Sequence, residues 1–230
     1  IEIKSVQLDA DFQPKFDEIL NIANANSKLL FLCSPNNPTG NSFEAKSIEK
    51  LIKAFKGIVV IDEAYIDFSN KESWISRLNE FSNLIITQTL SKAHGMAGIR
   101  LGICYASEEI ISVLNRIKPP YNVNILTQQK AISQLEQQGL TQNQVTNILK
   151  ERDLLITKLE SIDYISKIYP SDANFVLVEV DDANKRYDQL IDKGIVIRNR
   201  TTQPGCENCL RFTIGTPKEN RTLIDTLKSI

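Results

Sequence analysis

Apolar residues along this chain fall into short runs, separated by stretches with helical spacing. Lys28-Leu29-Leu30-Phe31-Leu32-Cys33, Ile58-Val59-Val60-Ile61, Leu84-Ile85-Ile86-Thr87 and Leu101-Gly102-Ile103-Cys104-Tyr105 each have the length of a buried strand. Residues 1–8 alternate apolar and polar, which predicts a further strand. Helices are predicted over 16–25, over 42–55 with an apolar face at Ile48, Leu51, Ile52 and Phe55, and over 74–81. Strands alternating with helices imply βαβ units, so the fold class is α/β with a mostly parallel sheet and flanking helices.

The pattern then changes. Helices are predicted over 108–117, stopped by Pro119-Pro120, and over 123–135 and 144–159. Shorter elements follow: strands at 175–178, 195–197 and 210–214, and helices at 185–193 and 218–230. This places 1–122 in a larger domain and 123–230 in an interdomain helix plus a smaller α+β C-terminal domain.

Polar clusters follow the carboxyl ends of three apolar runs: Asn37 in Ser34-Pro35-Asn36-Asn37-Pro38-Thr39-Gly40, Asp62 in Asp62-Glu63-Ala64-Tyr65, and Lys92 in Thr89-Leu90-Ser91-Lys92. Ligands of open α/β sheets bind beyond the carboxyl ends of the strands, so this shared placement marks a site. Thr89, Ser91 and Arg100, with Gly95, Gly98 and Gly102 nearby, suit a phosphate. A lysine beside a phosphate site suits Schiff-base chemistry with a phosphorylated carbonyl compound. Taken singly, each of these residues has a plainer reading: a solvated lysine, a strand-end carboxylate, a turn asparagine.

Composition narrows the partners. Lys and Arg number 27 against 28 Asp and Glu, a net charge of -1, which gives no electrostatic reason for a nucleic acid or an anionic membrane as partner. No apolar run reaches the ~18 residues of a membrane span. The four cysteines lack the pattern of a secreted disulfide framework, so a reducing cytoplasm is expected. Cys206-Glu207-Asn208-Cys209 is a single CxxC without further metal-ligand candidates and is read as loop variation; no metal is expected. His94 is the only histidine and is read as a packing residue.

Together, Ser34–Gly40, Val60–Tyr65, and Thr89–Lys92 with Gly98-Ile99-Arg100-Leu101-Gly102 resemble the fold-type I pyridoxal-phosphate aminotransferases, in the family's order. The Thr-Leu-Ser-Lys form, Gly194–Arg198 and Leu210–Thr216 are similar to members acting on histidinol phosphate. The resemblance implies a pyridoxal 5'-phosphate cofactor. Lys92 would form the imine and shuttle a proton, Asp62 would face the ring nitrogen, and Asn37 and Tyr65 would donate to the phenolate oxygen. Thr89, Ser91 and Arg100 would hold the phosphate. Arg198 and Arg211 would jointly bind the substrate phosphate or carboxylate. The implied reaction moves an amino group between L-histidinol phosphate and 2-oxoglutarate, in a homodimer. Related readings are an aminotransferase for aromatic or other amino acids and a threonine-phosphate decarboxylase. A reading of another class is a non-catalytic fragment or pyridoxal-binding module. The family pattern also extends ahead of Ile1, with a phosphate loop and a ring-stacking aromatic, so the chain is expected to be part of a longer protein.

Overall fold

In the computed structural model the backbone is described for residues 1–230, and side chains for all of them except Gln138. The chain divides into two compact units: Ile1–Pro35 with Phe43–Gln142, and Asn36–Ser42 with Asn143–Ile230.

The first unit is built on a sheet of order β1-β2-β3-β4, formed by β1 (Leu29–Cys33), β2 (Ile58–Asp62), β3 (Leu84–Thr89) and β4 (Gly102–Ala106). The first three strands run parallel and β4 runs antiparallel to β3. The fold is therefore α/β with a mostly parallel sheet, as the pattern of runs predicts. α1 (Phe16–Ile22) precedes β1, and α2 (Ala45–Ala54) is the crossover to β2.

Ten residues make only a marginal helix in water, so packing must hold α2. Ile48, Leu51 and Ile52 are fully buried against Val59, Ile61, Leu84 and Ile86. Burying three such side chains contributes roughly 5–9 kcal/mol before ordering costs. The segment predicted as a helix at 74–81 is instead a 3₁₀ helix, Trp74–Glu80, capped by the Ser73 hydroxyl. α3 (Glu108–Ile117), α4 (Ile125–Leu135) and the first residues of α5 (Gln138–Leu159) complete this unit.

Residues 1–8 form no strand. Alternation alone does not make a strand without a ladder partner, and none of the described strands pairs with this segment. Ile1 and Ile3 are exposed, while Val6 and Leu8 pack on the first core.

The second unit carries an antiparallel sheet of order β5-β6-β8-β7: β5 (Ile165–Ile168), β6 (Phe175–Val180), β7 (Arg198–Asn199) and β8 (Cys209–Thr213). Leu155 and Leu159 of α5, Leu190 of α6 (Ala183–Asp192), and Leu223, Ile224 and Leu227 of α7 (Pro217–Leu227) pack around Val176, Val178, Leu210 and Phe212. α7 starts on a capping box between Thr216 and Glu219, with Pro217 at its first position.

Two details differ from the sequence reading. The strand predicted at 195–197 is displaced to Arg198–Asn199. Gly194 ends α6 at φ 77°, and the Ile195 N–H donates to the Leu190 carbonyl at 2.8 Å. That helix-ending bond commits the Ile195 donor, so it is absent from the ladder. β5 was not predicted; it is a short strand with only two inward-leaning residues, too brief for a pattern. Among the described residues, no helix is long and apolar enough to cross a membrane.

Candidate active site

In the first unit, β2 and β3 are parallel neighbours in register, with Asp62 beside Thr87 on one side and Cys33 on the other. Asp62 is therefore the last residue of a central strand and faces out of its carboxyl end. Its Oδ1 accepts a hydrogen bond from the Ala64 N–H at 3.0 Å, which turns the chain sharply. Tyr65 follows, buried at 6% exposure.

The chain leaves β3 at Thr89 and returns into β4 at Gly102, and these two residues are ladder partners. The excursion between them is fixed by buried Leu90, Ala93 and Met96, with α4 contributing Ala131 to the same cluster as Leu90 and Met96. The Met96 N–H donates to the Leu90 carbonyl and the Gly95 N–H to the Lys92 carbonyl, each at 3.0 Å. Lys92 is exposed between these anchors. Its Nζ lies 5.2 Å from the centroid of the Tyr65 ring. That contact is worth only ~0.5–1 kcal/mol at an exposed site, so its interest is direction rather than energy. An amine leaving β3 is turned toward the end of β2, where Asp62 and Tyr65 stand.

Thr89, Ser91 and Arg100 lie on the same excursion. The Ser91 N–H donates to Thr89 Oγ1 at 3.1 Å. The Leu90 N–H donates to the Leu101 carbonyl at 3.3 Å, so the backbone at Arg100 returns alongside Ser91. Arg100 is left-handed at φ 55°, and its Nη1 donates to the Ala97 carbonyl at 2.9 Å.

Sequence reasoning passed over Glu63. It is 1% exposed and accepts from the Ser73 hydroxyl at 2.6 Å, the Trp74 N–H at 2.7 Å and Gln88 Nε2 at 2.9 Å. One carboxylate thus ties β2 and β3 to the 3₁₀ segment directly behind Asp62. Its only sequence signal is a second acid at a strand end, where a solvated role is the ordinary expectation. Glu63→Ala strands these donors, and we expect a loss on the order of 3 kcal/mol. Urea denaturation monitored by the single tryptophan, Trp74, measures it.

The second unit holds the other predicted residues. The turn 36–42 is fastened there: the Asp172 N–H donates to the Gly40 carbonyl at 2.7 Å, and the Ser42 N–H to Asp172 Oδ2 at 3.2 Å. Gly40 has φ 84°, and a Cβ there would come within 2.8 Å of Ser171 Oγ, so the position demands glycine. Asn37 Oδ1 accepts from Arg211 Nη1 at 2.7 Å. With its oxygen turned to the guanidinium, the amide presents Nδ2 as a donor on its other side.

The Arg211 guanidinium also lies 4.7 Å from the centroid of buried Phe175, which holds it flat. Arg198 of β7 is the direct ladder partner of Arg211. Directly opposed residues of an antiparallel pair share a face, and like charges so placed destabilise the ladder. This register places both arginines on one face, where two guanidinium groups could take an anion.

The sequence profile of the family described as "Aminotransferase class I and II" matches residues 1–227. A histidinol-phosphate aminotransferase of Flavobacterium johnsoniae is 60% identical over 228 residues, covering 99% of this chain and 65% of that protein. One of Flavobacterium psychrophilum is 60% identical over 230 residues, covering 100% of this chain and 66% of that protein. The crystal structure of the histidinol-phosphate aminotransferase from Clostridium acetobutylicum superposes with a TM-score of 0.89 at 27% identity, over 96% of this chain and 69% of that one. The chain thus spans just under two thirds of the length of these Flavobacterium relatives. With the profile matched almost from end to end, and a lysine, a carboxylate and a tyrosine set at adjacent strand ends, the chain belongs to the class I and II aminotransferases.

Proposed function

We propose that this chain is the greater part of a pyridoxal-phosphate-dependent aminotransferase that moves an amino group between L-histidinol phosphate and 2-oxoglutarate. The observation that carries the reading is the approach of Lys92 Nζ to the Tyr65 ring, beside Asp62. The names of the 60% identical relatives support the choice of substrate.

The residues present suit the cofactor. They offer an amine, a carboxylate, a phenol, an amide donor, and hydroxyls with a guanidinium. In this proposal Lys92 holds the cofactor covalently and Asp62 accepts from its ring nitrogen. Tyr65 and Asn37 donate to its phenolate oxygen, and Thr89, Ser91 and Arg100 take its phosphate. When bound, pyridoxal phosphate supplies an aldehyde for the amino group and an electron sink for the substrate carbon. Asp62 would accept the hydrogen bond from a protonated ring nitrogen. Lys92 Nζ would accept the proton from the substrate's amine-bearing carbon and later give it back. Arg198 and Arg211 hold the substrate phosphate in one half-reaction and the acceptor carboxylate in the other.

Residues 1–122 are proposed as part of the cofactor-binding domain, and 123–230 as the interdomain helix and small domain. A homodimer working in the cytoplasm in histidine biosynthesis, on small amino and oxo acids, completes the proposal.

Absorption spectroscopy of the cofactor-loaded full-length protein tests it. L-histidinol phosphate is expected to shift the cofactor band, and 2-oxoglutarate to restore it. A band unmoved by histidinol phosphate but shifted by an aromatic amino acid, or threonine phosphate consumed with release of carbon dioxide, overturns the substrate assignment.

A further inference from the structure

The loop between β7 and β8 carries Cys206, and Cys209 opens β8; the proposed amino transfer uses neither. Both thiols are 1% exposed, and both are free. The Cys209 N–H donates to the Cys206 carbonyl at 3.0 Å, which makes the two cysteines the ends of one hydrogen-bonded β-turn. Asn208 sits inside that turn at φ 53°, a left-handed position that asparagine tolerates. The ends of a β-turn lie within about 7 Å Cα to Cα, and disulfides span Cα separations up to about 6.8 Å.

The loop is held at both sides. The Arg200 N–H donates to the Cys209 carbonyl at 2.8 Å, the Cys206 N–H to the Gln203 carbonyl at 3.0 Å, and the Val180 N–H to the Asn208 carbonyl at 2.9 Å. Fixed backbone on each side of the turn keeps residues 206 and 209 as neighbours. The Cys209 Sγ also lies 3.5 Å from the Glu207 carbonyl oxygen.

We propose that Cys206 and Cys209 form a redox-active dithiol that closes to an intramolecular disulfide under a peroxide oxidant. Its chemistry does not depend on the aminotransferase reading. The two thiols are unequal. A hydrogen bond from Cys209 lowers the Cys206 thiol below its ordinary range; burial and Glu207 oppose this, and Arg200 assists it. Among the described residues, buried Arg200 Nε has no hydrogen-bond partner, and its guanidinium favours a thiolate nearby. Cys209 is pushed up by its hydrogen bond to Cys206 and by burial. Cys206 is therefore the attacking sulfur and Cys209 the resolving one. The Cys206 thiolate attacks one peroxide oxygen; an S–O bond forms, the O–O bond breaks, and hydroxide leaves. Cys209 then attacks the sulfenic sulfur; the S–S bond forms, the S–O bond breaks, and the departing oxygen leaves as water with the Cys209 proton. Two thiols are oxidised to one disulfide, and hydrogen peroxide is reduced to two waters.

Exposed Cys104 serves as an internal control, its thiol held above the ordinary range by partial burial. The fully reduced full-length protein is treated with hydrogen peroxide, unfolded, alkylated and mapped by mass spectrometry. Expected is a Cys206–Cys209 linkage that dithiothreitol reverses, with Cys33 and Cys104 still alkylated. In Cys206→Ser, Cys209 is expected to stay alkylatable at the same peroxide dose. Alkylation of both Cys206 and Cys209 at a dose that oxidises Cys104 overturns the proposal. So do separate sulfinic acids without a linkage, or oxidation of Cys209 in Cys206→Ser at the wild-type rate. If that variant fails to fold, the wild-type map decides alone, and either result leaves the aminotransferase reading untouched.

Discussion

Lys92→Ala in the full-length protein is expected to lower the rate of the proposed amino transfer by about four orders of magnitude, the upper range for removing a positioned general base, since it also removes the proposed nucleophile. Stability is expected to stay within about 1 kcal/mol of the parent, because the packing of this excursion rests on Leu90, Ala93 and Met96 while Lys92 is exposed. The Tyr65 contact that is lost is worth no more than ~0.5–1 kcal/mol. Lys92→Arg is expected to fail almost equally, although it keeps the charge and the reach. A guanidinium stays protonated at any working pH and cannot accept the substrate proton. Single-turnover kinetics with thermal denaturation of both variants checks this. If Lys92→Arg retains most of the rate, Lys92 is only a local cation.

The second large effect is at the arginine pair. Arg211→Ala removes a guanidinium that bonds Asn37 Oδ1 at 2.7 Å and stacks on Phe175. Removing one partner of a hydrogen-bonded charge pair costs about 2–5 kcal/mol, so kcat/KM for the oxo acid is expected to fall roughly 10²–10³-fold. Arg198→Ala separates binding from structure. Directly opposed like charges destabilise an antiparallel ladder by roughly 0.2–1 kcal/mol, so removing exposed Arg198 leaves stability unchanged or slightly higher. The same variant is expected to raise KM for histidinol phosphate about tenfold or more. Lower stability with an unchanged KM would assign Arg198 to the fold alone.

Much of this arrangement was legible in the sequence because it follows from short-range rules. α3 spans Glu108–Ile117 as its spacing predicts, with Ser107 as cap and Pro119-Pro120 beyond it. Strand ends at Asp62 and Thr89 follow from apolar runs giving way to polar residues. Long-range pairing was not legible. Residues 1–8 alternate without joining a ladder, and no local signal reports that. The start of β7 depends on how α6 ends at Gly194. The Arg198–Arg211 register depends on β7 meeting β8, although each arginine could be singled out from its own stretch. Glu63 was missed because its three donors come from residues 10, 11 and 25 positions away. Arg100 lies on the β3–β4 excursion, and its bond to the Ala97 carbonyl is set by a left-handed backbone that the sequence does not announce.

The central claim is that Lys92 is the lysine that holds the cofactor. Reductive trapping tests it most directly. The full-length protein is loaded with pyridoxal phosphate, reduced with borohydride and digested, and the modified peptide is sequenced by mass spectrometry. The account predicts one pyridoxyl-phosphate group per chain, on Lys92. A stoichiometric adduct on another lysine, with Lys92 unmodified, would contradict it.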